Sequence, residues 1–509
     1  MDAIHTNFTL FDWGILAGYL LLTTWIGHAF RGKQSTIKDF FLAGRSLPWP
    51  AVCASIIATE ISALTFIGVP GMVFAANGNF TYLQWALGSI VARFLVGIFL
   101  VKVYYEREIY SPYDYMSHTL GKGFKTLTTA LFTIGSILGQ SVRLLVTALI
   151  LSTVTPLSMN ASIIVLSLFA ILWTIMGGMT TVIWTDAVQF VMFVFSGVLA
   201  FVWIIGSLPG GWNEMITTAS EAGKMKLLDL STDPMLEFTL WVAIFAMPFQ
   251  NLAAFGTDQL NTQRMFCCRN ASDATKAMIC SSFSQVITIL MLMVGASLYA
   301  YYQTFPPNEA IATLFATSPD NVFPIWITTV LPPGLTGLVL AGAFAAAISS
   351  LDSALAALSQ TSLSVIHGQN PTHLTHAQLV RQSRFSVLIW GLILAATAIL
   401  IFIVKEKAGL NLISLAFGMV SYTYGPLLGI LLLALCKFKP RIQFVILGIA
   451  LSFLLTLAIR PDFYILTGLT KPDLAILNFS YVWLYPITTF ITFLCGVLSP
   501  RNPHQSFPS

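Results

Sequence analysis

About thirteen apolar stretches follow one another along the chain, at residues 9–29, 49–72, 80–103, 126–150, 160–177, 181–206, 237–257, 276–302, 325–354, 382–404, 410–436, 441–459 and 479–498. Most are near the roughly 20 residues that an α-helix needs to cross a bilayer. Inside hydrocarbon every backbone N–H and C=O must find its partner within the protein, so only helices and closed barrels span. Apolar runs of this length select helices. Of the 509 residues, 56% are hydrophobic and 9% charged, where a soluble domain carries about 25% charge. The expectation is an all-α, polytopic membrane protein. The apolar stretch 10–30 is too long for a cleaved secretory signal and counts as the first span. The net charge of +4 and the absence of a basic tract give no sign of a nucleic-acid partner. The six cysteines form no CxxC, so neither a disulfide framework nor a zinc site is expected.

Lysine and arginine set the orientation. Alternate loops hold Arg31, Lys33, Lys38 and Arg45; Lys102, Arg107, Lys122 and Lys125; Arg264, Arg269 and Lys276; Arg381 and Arg384; Lys437, Lys439 and Arg441; and Arg501. The opposite loops hold only Lys224, Lys226, Lys405, Lys407, Arg460 and Lys471. The bias places the N-terminus outside and the C-terminus in the cytoplasm, as an odd number of spans requires. Loop 208–236 is the longest of the outer type and has room for a short surface helix.

Three polar clusters interrupt the oil. ATEISALTFIGVPG (58–71) carries Thr59, Glu60, Ser62 and Thr65 and ends in Pro70-Gly71. WTDAVQ places Asp186 near the start of the sixth span. In AAAISSLDSALAALSQ, Ser349, Asp352, Ser353 and Ala356 share one helical face, with Ser350 beside it. An ionisable residue at this depth costs at least roughly 2.5 kcal/mol and marks a functional site by default. Single serines more often let helices pack closely and hydrogen-bond, and a lone aspartate can pair structurally. Together the clusters suit a hard cation, which takes oxygen ligands. A helix that unwinds frees carbonyl oxygens, and an unwound backbone is tolerated in a membrane where it is buried in protein or lines a cavity. Broken helices meeting near the midplane are how many secondary transporters build ion and substrate sites.

Five stretches in order resemble the sodium/solute symporter family: FLAGRSLPW (41–49), GGMTTVIWTDAVQ (177–189), FGTDQLNTQR (255–264), AAAISSLDSAL (345–355) and YGPLLGILLL (424–433). The resemblance covers nearly the whole chain and implies a LeuT-like inverted repeat of five plus five helices, with broken first and sixth core helices at 49–72 and 237–257. The implied divisions are an N-terminal extra helix with its inner loop (1–48), the first repeat (49–207), an outer loop (208–236), the second repeat (237–437), and two accessory helices with a tail (438–509). The family's shared sodium site maps onto the carbonyls of Ala58, Ile61 and Ala346 and the hydroxyls of Ser349 and Ser350. A second sodium site, as in members that resemble sialic acid transporters, maps onto Asp186, Ser349, Asp352 and Ser353, with Asp352 standing where that pattern has serine. One or two sodium ions are therefore expected.

By position, Ser62, Thr65, Phe80, Gln84, Asn251 and Tyr422 are the substrate candidates. Phe80 and Gln84, one α-helical turn apart, are placed to present an apolar surface and an amide together. Glu60 departs from the uncharged residue usual in sialic acid and sugar members, and Arg143 is its natural counter-charge: the two either pair directly, or stand apart across the cavity with Arg143 on a solute carboxylate and Glu60 on an amine or hydroxyl. The arginine that grips the substrate carboxylate in the sialic acid branch lies on the same helix as Arg143, about one turn earlier, near Gly139. Arg93 reads as structural. The implied activity is import of a small polar solute by sodium symport with alternating access, in the bacterial inner membrane, by a monomer surrounded by lipid. No enzymatic motif appears. The solute expected is a carboxylate such as a sialic acid, an amino acid such as proline, or an organic acid. The alternatives are a neutral sugar or polyol and, in another class, a non-transporting sensor with the symporter fold.

Overall fold

The computed structural model describes residues 7–30, 42–107, 109–176, 179–367, 376–471 and 477–500. Arg31, Lys33, Lys38 and Arg501, and the first residues of FLAGRSLPW and GGMTTVIWTDAVQ, lie outside them. The described chain is helical throughout; its only bridge pairs Leu47 with Cys268. Nine of its helices are long and apolar enough to cross a membrane, or eleven when each of two bent pairs is one span. Two shorter apolar helices, at Met159–Ile175 and Tyr481–Val497, stand beside them. The chain is a multi-pass membrane protein.

The first break falls inside its expected segment, and the second at the C-terminal edge of its own, at Thr257–Asp258. α1 (Leu10–Ala29) is followed by α2 (Trp49–Glu60), which bends by 57° into Leu64–Phe74, a π turn leading to α3 (Val69–Phe74). The chain between is extended at Ile61 (φ −76, ψ 111), and Ser62 Oγ accepts the Leu64 amide at 3.3 Å. Pro70, near the N-terminus of α3, has no amide to donate, which costs nothing in a first helical turn. The second pair, Leu240–Gly256 and Gln259–Met265, bends by 58°.

α4 (Trp85–Leu95) continues a 3₁₀ turn at Phe80–Gln84. α5 (Gly123–Val154), α6 (Met159–Met176) and α7 (Met179–Ser207) complete the first half. In the second half, α8 (Met247–Gly256) and α9 (Gln259–Met265) flank the bend, and α10 (Ser284–Thr304), α11 (Leu335–His367) and α12 (His376–Ala408) follow. α13 (Leu412–Val420) and α14 (Tyr424–Leu435) are separated by a turn at Ser421–Thr423, and α15 (Ile442–Ile459) and α16 (Leu484–Val497) pack beside α14.

α11 is the buried axis. It touches α1, α2, α5, α6 and α7, and no room is left for a Cβ at Gly342 where Ser196 of α7 abuts it. A small residue there lets the backbones approach, the common solution between membrane helices. α1 lies at the edge, with Leu10, Leu21 and Trp25 exposed on its outer face.

The ninth expected span, 325–354, is displaced. Val322–Thr329 is a separate short helix, and Leu335–His367 starts afresh after Pro332, Pro333 and Gly334, the last at φ +93. Two successive prolines cannot continue the hydrogen-bond ladder, and glycine takes the positive φ at no steric cost. Loop 208–236 does hold a short helix, Gly211–Glu221. Three cations read as loop residues, Lys224, Arg264 and Arg460, are at most 2% exposed. Lys224 donates to the carbonyls of Phe74, Ala75 and Ala76 and so closes the C-terminal end of α3. Burial lowers its ammonium to about 8. Arg460 forms a bidentate pair with Asp462 at 2.7 and 2.8 Å.

Candidate functional site

The two bends face one central cavity. It is lined from the first pair by Thr59, Glu60, Ile61 and Thr65, from the second by Gln250, Asn251, Asp258 and Asn261, and from α5 by Gly139, Gln140 and Arg143. Tyr82, Trp85, Phe417 and Tyr424 supply aromatic walls. A mostly apolar hollow with a few convergent polar groups is the form of a small-molecule site.

Of the two arrangements the sequence leaves open for Glu60 and Arg143, the side chains adopt the separated one. Glu60 does not pair with Arg143. Its partner is Arg93, whose Nη2 contacts Glu60 Oε1. Arg93 is fully buried, donates to the Ser281 carbonyl, and lies 4.3 Å above the Phe255 ring. An isolated Glu60 would be costly at this depth, and the pair removes that cost. Arg143 instead donates Nη1–H to the Thr59 carbonyl at 2.7 Å, within electrostatic reach of Tyr424, Asp258 and Glu60. That bond satisfies a carbonyl near the end of α2, so the bend and the cavity are held by the same side chain. Gly139 lies one turn before Arg143 and lines the same cavity, but a Cβ there would come within 2.7 Å of Val420.

Thr65 and Asn251 line the cavity; Asn251 Nδ2 is spent on the Met247 carbonyl at 2.9 Å. Ser62 does not line it and serves the bend. Phe80 is 5% exposed within the hydrophobic core. Gln84 is tied to the 229–239 segment: its Nε2 donates to Phe238 O at 2.9 Å and its Oε1 accepts from Asp229 N at 3.3 Å. The two part because Phe80–Gln84 is a 3₁₀ turn, in which i and i+3 align and i+4 is rotated away. Tyr422 packs on Phe453 and points its hydroxyl at Asp462, 3.4 Å away. Tyr424 takes the cavity position and donates to Asp258 Oδ2 at 2.8 Å.

Ala58, Ile61 and Ala346 meet at a small void with Gln189, Phe190 and Phe193. Ser350 is one turn from Ala346, its hydroxyl 3.4 Å from that carbonyl and 3.0 Å from the Ala347 carbonyl. Backbone oxygens of a bend beside an intact helix are donors suited to a hard cation, while the Ser350 hydroxyl is bonded back to its own helix. Ser349 turns the other way and donates to Asp186 Oδ1 at 2.5 Å.

Asp186, Ser349 and Ser353 converge, and among them stands a side chain the sequence assigned to a loop. Arg264 Nη2 donates to Asp186 Oδ2 at 3.0 Å and to Ser353 Oγ; its Nε donates to Ser55 Oγ at 2.9 Å and its Nη1 to the Leu260 carbonyl at 2.6 Å. Ser55 Oγ in turn donates to Asp186 Oδ2 at 2.5 Å. Asp352 accepts from Ser353 Oγ at 3.1 Å and also lines a separate small cavity with Thr23, Thr181, Thr185 and His28.

Asp258, Tyr424, Arg264 and Ser55 were not among the sequence candidates. Asp258 had a signal: it lies in FGTDQLNTQR at the bend, where its Oδ1 accepts the Leu260 amide at 2.8 Å as the N-cap of α9.

The family model for the sodium:solute symporter family matches residues 40–442. The sodium/sialic acid symporter SiaT of Proteus mirabilis is 26% identical over 459 residues, covering 89% of this chain and 90% of that protein. The sodium/glucose cotransporter of Vibrio parahaemolyticus is 29% identical, covering 70% of this chain and 68% of its own. A solved structure of a Na⁺-coupled sialic acid symporter, substrate-bound and outward-open, superposes with a TM-score of 0.81 at 23% identity, over 96% of this chain and 97% of that one. The fold is that of the LeuT-like transporters, and the chain belongs to the sodium:solute symporter family.

Proposed function

We propose that this protein imports a small carboxylate-bearing solute that also carries several hydrogen-bond donors, driven by sodium. Sodium-coupled symport of a polar organic solute follows from the family; the cavity supports the solute's chemistry. The observation that carries it is that Arg143 and Asp258 line one cavity without forming an ion pair. Glu60 is already neutralised by Arg93. Arg143 is thus the cation with capacity to spare, and a guanidinium fork matches a carboxylate in two bonds. The cavity's unpartnered side-chain atoms are mainly acceptors: Glu60 Oε2, Gln140 Oε1, Gln250 Oε1 and Asn261 Oδ1. They favour a solute rich in hydroxyl or amine groups, a requirement that a sugar acid such as a sialic acid, or an amino acid, meets together with the carboxylate.

Sodium sits, on this reading, between the Ala58, Ile61 and Ala346 carbonyls and the Ser349 and Ser350 hydroxyls. It ties the bend of the first broken helix to α11 and thereby shapes the cavity beside Thr59 and Glu60. The orientation proposed is N-terminus outside, in the inner membrane of a bacterium, with the 208–236 segment on the outer face.

The test is a thermal-shift panel of sialic acids, amino acids, small monocarboxylates, neutral sugars and polyols, in sodium chloride and in choline chloride, followed by counterflow in proteoliposomes. Carboxylates should stabilise the protein only in sodium. Arg143→Gln should weaken them at least tenfold, and Glu60→Gln/Arg143→Gln should not recover the loss. Sodium-dependent binding of neutral sugars that survives Arg143→Gln would overturn the carboxylate reading, and binding without counterflow would make the protein a sensor.

A further inference from the structure

The side chain at the centre of the expected second sodium site has no part in the reading above. Arg264 is 1% exposed, and Asp186 is fully buried. The guanidinium is met on three edges by oxygen: Asp186 and Ser353 at Nη2, Ser55 at Nε, and the Leu260 carbonyl at Nη1. A carboxylate, hydroxyls and a carbonyl are also what a sodium ion takes. Nη2 lies within bonding distance of both Asp186 and Ser353, so an ion bridging those two oxygens would occupy the space of the nitrogen. A guanidinium and a sodium ion bridging Asp186 Oδ2 and Ser353 Oγ exclude each other there.

The four partners come from four elements. Ser55 is on α2 and Leu260 on α9, each one half of a broken helix. Asp186 is on α7 and Ser353 on α11, both unbroken. Arg264 is itself on α9, close beyond the bend at Thr257–Asp258. The same bonds that neutralise Asp186 therefore fasten both half-helices to the unbroken pair. Moving α9 away would strip Asp186 of its cation, and a lone buried carboxylate is costly.

We propose that Arg264 is a built-in cation: it takes the place of a second sodium at Asp186 and latches α2 and α9 onto α7 and α11. The inference rests on the sodium-symport reading. The chain in this conformation binds one sodium, at the bend, and the positive charge at Asp186 is carried by the protein through every cycle, so it adds nothing to the transported charge.

Two measurements test it without any solute, so their failure is distinct from a wrong solute class. The first counts ions by equilibrium dialysis of the purified full chain against radioactive sodium. Wild type should bind one ion. Arg264→Gln should bind two, the additional ion disappearing in Arg264→Gln/Asp186→Asn. Two ions in wild type, one of them lost in Asp186→Asn, would overturn the proposal, as would one ion in both wild type and a folded Arg264→Gln. The second reads the latch in Arg264→Lys, which keeps the charge for folding but has a single nitrogen and cannot span the four oxygens that Nε, Nη1 and Nη2 reach. Cys53 lies on α2 two residues from Ser55 and is 8% exposed. With Cys267 and Cys268 replaced by alanine and Cys280, Cys436 and Cys495 by serine, its labelling by a maleimide should rise at least tenfold in Arg264→Lys. Labelling as slow as in wild type would remove the latch even if Arg264→Gln did not fold.

Discussion

The central cavity and the cluster around Asp186 are built from the same parts and come out opposite. Each brings an arginine near a buried aspartate and several hydroxyl or amide groups. In the cluster, Arg264 donates to four oxygens and Asp186 accepts from two serines and the arginine. In the cavity, Arg143 makes one bond to a backbone carbonyl, Asp258 is held by Tyr424 and the Leu260 amide, and the two charges stay apart. A buried charge without a partner is expensive, so a protein keeps its hydrogen-bonding capacity unspent only where something else will use it. On the reading proposed above, the saturated cluster holds the helices and the unsaturated cavity receives the solute.

The largest expected effect breaks the cluster. Asp186→Ala leaves the Arg264 guanidinium buried without the carboxylate it bonds, a loss of about 3–5 kcal/mol for one partner of a buried pair. Arg143→Gln, at the edge of a cavity, should cost under about 1 kcal/mol of stability and act on solute binding instead. Thermal denaturation of both variants in detergent measures the contrast. Asp186→Ala/Arg264→Met, which removes both charges, should recover most of the lost stability. Equal destabilisation by Asp186→Ala and Arg143→Gln would erase the distinction between the two regions.

Much of this arrangement can be read in the sequence, and the parts that cannot share a cause. The first bend announces itself as polar interruptions and a proline inside an apolar run, and its position in the structure agrees; the second, implied by the family resemblance, falls at the edge of its stretch. Partner choice is different. Glu60 and Arg143 are the charges that stand out in apolar segments, yet Arg93 on α4 reaches Glu60 first, because the rotation of α4 about its axis is set by packing and not by hydropathy. Arg264 follows a bend, so counting charges places it in a loop, whereas α9 carries it back into the protein. Tyr422 and Tyr424 differ by two residues, but a turn at Ser421–Thr423 breaks the helical phase that would rank them. In each case the sequence supplies the residue type, and helix packing or a local departure from regular helix decides where it points.

A smaller effect separates the two adjacent serines of α11. Ser349 donates to Asp186, whereas Ser350 lies against the Ala346 and Ala347 carbonyls. If both also serve sodium at the bend, they differ in what else they hold. Ser350→Ala should raise the sodium concentration for half-maximal uptake about fivefold, roughly 1 kcal/mol for one lost oxygen, with the melting temperature in choline unchanged. Ser349→Ala should do the same to sodium and also lower the melting temperature in choline, because Asp186 loses a donor. Sodium titration of uptake, beside melting curves without sodium, reads both. Equal melting temperatures in choline would show that Ser349 contributes nothing to the cluster.

The smallest effect uses a carboxylate that belongs to neither region. Asp320 lies in the turn Pro319–Asn321, packed so closely on Gly71 that a Cβ there would be 2.7 Å from the Asp320 Cα. It lines an outer hollow with Asn411 and Leu412, at the start of α13. It has no ion pair among the described residues. Burial is the main influence on its carboxyl, raising it from 3.8 to about 6, with Lys405 and the Leu412 amide acting in the other direction. Between about pH 4 and 6 the folded state therefore holds a proton that the unfolded state has released. Stability must fall as pH rises through that window and level off above it. Asp320→Asn cannot release that proton, so the slope should flatten, by a few degrees of melting temperature at most for a chain of this size. Melting curves from pH 4.5 to 7.5 check the sign. A dependence that persists unchanged in Asp320→Asn would remove Asp320 as its source.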